Sequence, residues 1–598
     1  MIYRSSILAV AIASASSTLL AYDSDPLEIS VTGTRSYSSI RTAQSSQVIT
    51  AEEIATAGIS TLGEAIEQFS GVTLARNGSV GSSSAMFVRG SNSNHVVVLL
   101  DGQRLTSTTD GKTEIEYIPI ELVERIEFVA GGLSTLYGSD AIGGVLQIFT
   151  KPLASQPIQT VALGLGDGHS KTTYTHTGRL GGTASYRINA GQEYTTGYDA
   201  SNVYTDSDSD GYSKRFIDLA VSKRSGQLAL SGFLGEWDGT TEFDEDTFSN
   251  KNATDFSTRR VGAKLSYLAG DLGFESQITD LTNDRKNYDL ADKSDSETTE
   301  VDRLEWTNTL NKEFSSDLAL TAGFDARNES AISTYANGKS QTRGVFASIS
   351  KKFDQLQVET GVRRERHSDY GYQTSWSAGV TLPFNHHSDL FASRKFAYAN
   401  PTLADLDPTW GNPALLPESA YSTEVGYRFG DLGGWSGHLI AYETKFTNLI
   451  EFENWALSNI GNARTRGVEL NIKQRFESVE LDAKLAYLDG ENLDQGGAPL
   501  INRAEQRAVI RSSYHLSEAT SVNVGYQFTG NMTSLDAVDY SAKDMPDYSL
   551  WRIGGLHRYN DDLSLSLFVD NALDKSYEPV DGFNGRSRYV EARINYTF

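Results

Sequence analysis

At the end of the chain apolar and polar side chains alternate strictly. Val590, Ala592, Ile594, Tyr596 and Phe598 stand against Glu591, Arg593, Asn595 and Thr597. The same period of two runs through Leu563, Leu565, Leu567 and Val569, set between Ser564, Ser566 and Asp570. It returns at Ala184, Tyr186, Ile188 and Ala190, set between Ser185, Arg187, Asn189 and Gly191. A period of two puts one kind of side chain on each face of a β-strand. These dyads recur from about Val161 onward, in runs of about 10 residues separated by polar stretches, longer than the strands of a soluble sandwich. The final aromatic falls inside a strand, and the pattern predicts a barrel with an apolar outer face and a wet inner one.

The other end reads differently. Met1 to Ala21 carries Arg4 as its one charge, followed by ILAVAIASASSTLLA, the pattern of a secretory signal peptide. Cleavage is expected after Ala21, with Ala15 as the rival site. No later stretch approaches the roughly 20 apolar residues of a membrane helix. An exported chain of this kind is soluble outside the cytoplasm or a β-barrel, and the periodicity selects the barrel. After Lys151 there are 598 − 151 = 447 residues. At about 20 per strand and loop this predicts an all-β transmembrane barrel of about 22 antiparallel strands, a size class whose lumen is plugged.

Residues 41–151 have the texture of such a plug. Thr50-Ala-Glu-Glu53 is a capping box, and Thr61-Leu-Gly-Glu64 opens a second helix with Leu62, Ile66 and Phe69 on one side. Compact strands are expected at Met86–Gly90, Val96–Gly102, Glu124–Val129 and Val145–Lys151. The organisation is then 1–21 signal peptide, 22–40 linker, 41–151 an α+β plug domain and 152–598 barrel.

Composition narrows the function. A net charge of −25 opposes a nucleic-acid partner, and the absence of cysteine excludes disulfides, thiolate metal sites and cysteine nucleophiles. An enzyme is not expected. No G-x-S-x-G occurs, Gly164-Leu-Gly166 lacks the third glycine of a dinucleotide turn, and the adjacent pair His386-His387 reads as surface loop.

The plug strands, together with LYGSDAIGG at Leu136–Gly144, resemble the plug of TonB-dependent outer-membrane receptors. In the barrel, NPALLPESAYSTEVGY at Asn412–Tyr427, NARTRGVEL at Asn462–Leu470 and DNALDKSY at Asp570–Tyr577 resemble the family's later strands. Leu27-Glu28-Ile29-Ser30-Val31-Thr32 is similar to a TonB box, the extended segment that adds a strand to the TonB energy-coupling protein. SSAMFVRGSNSNHVVVLLDGQRL at Ser83–Leu105 narrows the resemblance to the family's cobalamin (vitamin B12) receptors. Ala130-Gly131-Gly132 and Gln147 depart from the family's usual residues. The resemblance implies TonB-driven uptake of cobalamin or a related corrinoid across the bacterial outer membrane by a monomer seated in lipid. A ferric-siderophore receptor is the alternative, and a passive porin a more distant one, since a porin has no use for a TonB box or an occluding domain.

A set of carboxylates suggests a metal. Asp206, Asp208 and Asp210 alternate before Gly211, following Asp199. An EF-hand is ruled out, because the twelfth position from Asp206 is Ile217 where a bidentate glutamate is required. Strands Tyr212–Val221 and Leu228–Trp237 instead predict a hairpin about the Lys223–Gly226 turn, bringing both acidic stretches, 199–210 and 244–255, to one rim. Gathering Asp199, Asp208, Asp210, Asp244 and Asp255 is repulsive without a cation, and this many hard oxygen donors suit calcium. The resemblance places these residues at the calcium-loop positions of cobalamin receptors, with Asp206 as a sixth ligand or a neighbouring charge. It also implies that Ser83, Ser84 and Ala85, with Ser107, Thr108, Thr109 and Asp110, face the corrinoid, and that the ring of Phe243 packs on it. Arg89, in the middle of the plug, is expected to pair with Glu127 or Asp140 rather than touch ligand, and Gly138, Gly143 and Gly144 to serve the backbone.

Overall fold

The computed structural model describes residues 43–598 apart from 155, 182, 204–207, 245–251, 291–292, 335–336, 409–410 and 454–455. The expected signal peptide and the TonB-box residues Leu27–Thr32 lie outside the described residues, as does Asp206.

From Ile158–Gly166 onward each strand pairs antiparallel with the next, and the last, Tyr589–Thr597, closes on the first through Glu591↔Gly166 to Thr597↔Thr160. The closed order holds 23 strands; one, Ala498–Pro499, is a two-residue extension beside Val479–Asn492, leaving 22 in the wall. Closure removes every sheet edge, which a membrane demands because lipid offers the backbone no hydrogen-bond partner. The alternation seen in sequence becomes the two faces of that wall. Leu565 lies across from Ile594 on the outside, both exposed, while Ser566, Phe568 and Glu591 point inward and are buried. At one end the connections are tight: Ser225 pairs with Leu228 and Asn385 with Ser388, so the turns are Gly226-Gln227 and His386-His387. The first lies slightly beyond the expected Lys223–Gly226 turn. Phe314, Phe353, Phe384 and Phe476 stand exposed beside the tight turns as one aromatic girdle. Long connections occupy the opposite rim.

Inside sits the plug. Strands β1 (Ser46–Thr50), β2 (Val72–Arg76), β3 (Ser84–Val88), β4 (Val96–Leu100), β5 (Gln103–Arg104), β6 (Val123–Ala130) and β7 (Gly144–Thr150) form a sheet ordered β1-β6-β7-β4-β5 and a β2-β3 hairpin. The β4 to β7 pairing is parallel. Thr50 and Glu53 cap helix Ala51–Thr56 reciprocally, as the sequence box predicts. At Leu62–Ile66 the hydroxyl of Thr61 caps Glu64, but the Glu64 carboxylate takes the N–H of Ser60 and the guanidinium of Arg552 in the wall. Ile66, Phe69, Val98, Leu100, Ile126, Phe128 and Leu146 form the plug core. Gly138 bends the chain with φ of 80°, and a Cβ on Gly144 would stand 2.6 Å from the Val129 carbonyl oxygen.

Aromatic contact and charge fasten plug to wall. Tyr117 stacks on Phe256 with centroids 3.7 Å apart. Arg89 corrects the expectation about its partners: its guanidinium forks onto both oxygens of Glu469 at 2.8 Å and reaches Glu424 at 2.5 Å, both in barrel strands. Glu127 instead pairs with Arg125, and Asp140 with Arg104. The nearest carboxylates in the plug's own sequence are thus engaged locally, and Arg89 faces the wall. Its φ of 48° is a strained value for a non-glycine residue, held by the N–H bond to Gly71 at 2.8 Å and by the ion pairs.

Replacing Arg89 by Met strands two buried carboxylates and should destabilise plug docking by about 3–5 kcal/mol, whereas the triple variant R89M/E424Q/E469Q should recover most of that loss. Protease resistance of residues 43–150 in the folded protein reads both. Equal resistance of the Arg89→Met variant and the parent would show that the clamp does not hold the plug.

Candidate functional site

Two of the long connections leave the wall side by side at the rim. Residues 196–211 link strands Ala184–Thr195 and Tyr212–Ser225, and 244–251 link Leu228–Phe243 to Asn252–Ala269. Tyr212 pairs with Thr195 on one side and Thr241 on the other, so both loops leave the wall at the same level. The first loop leans on the plug, with the Tyr198 hydroxyl donating to the Gly78 carbonyl and the Tyr198 N–H to Ser79 Oγ, both at 3.3 Å. Asp210 closes it: its N–H donates to the Tyr198 carbonyl at 3.2 Å and its carboxylate accepts the Ala200 N–H at 3.1 Å. Sequence reading missed two supports. Glu242 accepts the Gly211 N–H at 2.8 Å, and Asn584, from a loop near the C-terminus, donates to the Asp199 carbonyl at 3.1 Å. No local signal marks Asn584, because that loop becomes a neighbour only on closure.

The carboxylates separate into two groups. Asp210 is buried, and burial together with the charges of Asp244, Asp208 and Asp199 pushes its pKa up to about 7. Four of the expected residues therefore share one electrostatic neighbourhood. Asp255 stands on another face: Thr254 and Phe256 beside it are buried toward the lumen, and its exposed carboxylate accepts from Thr240 Oγ1 at 2.7 Å and Tyr288 at 3.2 Å. Among the described residues no three acidic or histidine side chains converge tightly enough to hold a metal ion. In chemistry the donors of the inner group fit a hard cation, being carboxylate oxygens alone, whose mutual repulsion such an ion would relieve.

The plug loops offer a mixed surface. Ser83 is exposed, and Ser84 and Ala85 are half-buried at the start of β3. In the second loop Ser107 Oγ and Thr109 Oγ1 lie 2.6 Å apart, Thr108 donates to Glu329 in the wall at 3.1 Å, and the Asp110 carboxylate accepts the Lys112 N–H at 3.2 Å. Much of that loop's polarity is thus spent on its own fold and on docking. Phe243 shares strand parity with Trp237 and Thr241, both buried on the lumenal side. A cavity of about 810 Å³ runs beside the plug, from Tyr198, Gly78 and Ser82 past Arg76 and Arg552 to Lys473 and His515 near the tight turns. Ser84 lines it; Ser107–Asp110 and Phe243 do not.

The raised pKa of Asp210 gives a pH signature. Its folded value of about 7 exceeds the ordinary 3.8, so its contribution to loop order is full at pH below about 4, declines as pH climbs toward 7, and is flat above. In chelator, hydrogen-exchange protection of the Ala200 and Asp210 amides should be greater at pH 5 than at pH 8 after correction for intrinsic exchange. Asp210→Asn should abolish the difference; a difference surviving in that variant would assign it to another group.

Family models match both parts of the chain: a TonB-dependent Receptor Plug Domain over residues 38–145, and a TonB dependent receptor-like beta-barrel over 158–572. Among curated relatives, the vitamin B12 transporter BtuB of Vibrio cholerae serotype O1 is 28% identical over 581 residues, 92% of each chain. That of Photobacterium profundum is 27% identical over 572 residues, again 92% of each. Among solved structures, the ferric enterobactin receptor PfeA of Pseudomonas aeruginosa superposes with a TM-score of 0.80 at 17% identity, over 94% of this chain and 100% of that one. The siderophore receptor PirA of Acinetobacter baumannii gives 0.81 at 16% identity, over 92% of this chain and 98% of that one. A closed 22-strand wall, a plug held inside it by buried ion pairs and family matches to both parts lead to one conclusion: the chain belongs to the TonB-dependent receptors, the plugged β-barrel receptors of the bacterial outer membrane.

Proposed function

We propose that this receptor takes up cobalamin or a closely related corrinoid, drawing its energy from TonB. The observation that carries the reading is similarity along nearly the whole length to B12 transporters, 28% identity over 92% of both chains. The siderophore receptors are alike at only 16–17% identity and speak for the fold alone. Ligand binds at the rim above the plug, against the loops at Ser83–Ala85 and Ser107–Asp110, with Phe243 on the lumenal side of the wall. TonB then engages the segment Leu27–Thr32 and loosens the plug, so that ligand passes along the barrel interior. No covalent bond is made or broken.

Calcium belongs to the same proposal. Asp199, Asp208, Asp210 and Asp244 would hold it, with Asp255 contributing only if its strand end turns inward. The ion supplies positive charge, which offsets the repulsion that raises the Asp210 pKa. This chain's own contribution is the scaffold of hydrogen bonds at Tyr198, Ala200 and Asn584 that holds the loop of Asp199 and Asp210 over the plug.

Direct binding of cyanocobalamin measured against a ferric siderophore tests the substrate. Saturable binding of cyanocobalamin alone is expected; binding of the siderophore alone would reassign the receptor. Deletion of Leu27–Thr32 should leave binding intact and abolish uptake of labelled cyanocobalamin into cells. Uptake that survives the deletion would remove TonB coupling through this segment. The double variant D208A/D210A should bind cyanocobalamin about tenfold more weakly in excess calcium, the usual scale for coupled sites, and corrinoid must raise calcium affinity by the same factor that calcium raises corrinoid affinity. Equal corrinoid affinity in excess calcium and in excess chelator would return these aspartates to solvated loops.

A further inference from the structure

The last long loop of the barrel, between strands Leu563–Asp570 and Tyr589–Thr597, contains a short segment of which the transport reading uses only Asn584. The Phe583 N–H donates to the Val580 carbonyl at 3.1 Å, and the Gly585 N–H to the Tyr577 carbonyl at 2.7 Å, so a tight turn is folded inside a wider one. Gly582, the third position of the tight turn, has φ of 82°, which favours glycine. Val580 and Asp581 are buried, unusual for the middle of a rim loop.

One side of this segment holds the acidic loop. The Asn584 N–H donates to the Ala200 carbonyl at 2.7 Å, and its side-chain amide to the Asp199 carbonyl at 3.1 Å. In return the Asn202 N–H donates to the Gly582 carbonyl at 3.0 Å, and the Asn202 side-chain amide to Glu578 at 2.8 Å. The other side holds a hairpin of the neighbouring rim connection, Met532–Leu535 paired with Ala542–Met545. The buried carboxylate of Asp581 accepts the Ala537 N–H at 2.9 Å with one oxygen and pairs with Lys543 at 2.9 Å through the other. Lys543 reaches Asp536 of the same hairpin at 3.0 Å.

Gly582 is where the three pieces come closest. A Cβ there would stand 2.6 Å from the Ala537 Cβ in the hairpin and 2.7 Å from Val203 Cγ2 in the acidic loop. The contacts are remote in sequence, 376 residues between Asn202 and Glu578 and 385 between Asp199 and Asn584, so only closure of the ring brings them together. Long rim connections gain little order from their own ends, because each residue fixed costs conformational entropy. A shared anchor changes that: once the segment is held by one loop, it presents its bonds to the other already in place.

We propose that Glu578–Asn584 is a strap that joins the acidic loop and the Met532–Met545 hairpin into one ordering unit, so that whatever orders either loop orders the other. Asp581 is the positioning residue toward the hairpin and Asn584 the one toward the acidic loop. The strap acts through bonds within the chain and does not depend on which ligand or cation the rim takes. Its coupling runs equally in both directions.

Hydrogen-exchange mass spectrometry of the full chain, in neutral detergent with chelator, tests the strap. Asp581→Ala removes the bonds to Ala537 and Lys543, and should speed exchange about fivefold at residues 196–203 as well as in the hairpin. Asn584→Ala removes the side-chain bond to Asp199, and should speed exchange at residues 532–545 by about the same factor. Gly582→Val, which forces both neighbours away, should speed both. Faster exchange confined to the loop that each side chain touches would overturn the proposal, since the segment would then hold two independent loops. Should these variants fail to fold, Lys543→Gln decides, its side chain being 48% exposed at the rim. It should speed exchange at residues 196–203 about twofold, the scale of an exposed ion pair, and an unchanged rate there would overturn the strap equally.

Discussion

Closure of the sheet is the constraint on which the rest of this molecule depends. Lipid gives an unpaired backbone group nothing to bond, so the strands pair all the way round, Glu591–Thr597 against Thr160–Gly166. A ring of 22 strands encloses a lumen wider than its own inward side chains can fill, and an open lumen of that width would breach the membrane. A separate domain must therefore occupy it. That domain has its own apolar core, which continues onto Tyr212, Phe216, Trp237 and Phe256 of the wall, and buried polar groups make up much of the remaining interface.

Buried charge is added to that apolar contact. Arg89 pairs with Glu424 and Glu469, His95 Nε2 lies 2.9 Å from Glu418 of the wall, and Arg303, itself paired with Glu329 within the wall, donates to the Arg104 carbonyl of the plug at 3.1 Å; all are buried. Pairs of this kind add little net stability, because desolvating both charges offsets most of their attraction, yet a pair broken on one side is costly. They help to specify one seating of the plug. The cavity beside Arg76 and Arg552 lies along the part of the interface where packing is already incomplete.

At the rim the acidic loop of Asp199 and Asp210 leans on plug and barrel together. Tyr198 bonds to plug carbonyl Gly78, and Asn584 reaches the loop from the far end of the chain, so any change in plug position is felt by the carboxylates above it. The outer face obeys a different solvent. There the apolar band fixes which side chains face lipid, and charged pairs such as Arg215–Asp238 and Arg466–Asp489 are made across neighbouring strands.

Strict alternation made the lipid face legible in the chain, because the period of a strand is local and a residue such as Ile594 faces outward whatever its neighbours are. Local chemistry likewise exposed the Thr50–Glu53 cap and four plug strands to within about two residues. The short β1 and β2 were missed, each being five residues long, although Ser70-Gly71 and Asn77-Gly78 bracket the second as turn signals. What the chain concealed were partners brought together by closure. Arg89 meets glutamates 335 and 380 residues away, and nothing near it distinguishes these from Glu127 or Asp140. Asp255 shares a rim with Asp210 but points to the opposite face, since a shift of one residue in a strand reverses a side chain's side and only the paired register fixes which. Periodicity is a property of the segment and was determined by sequence; register, depth and charge partners are properties of the closed ring, and the tertiary structure alone decided them.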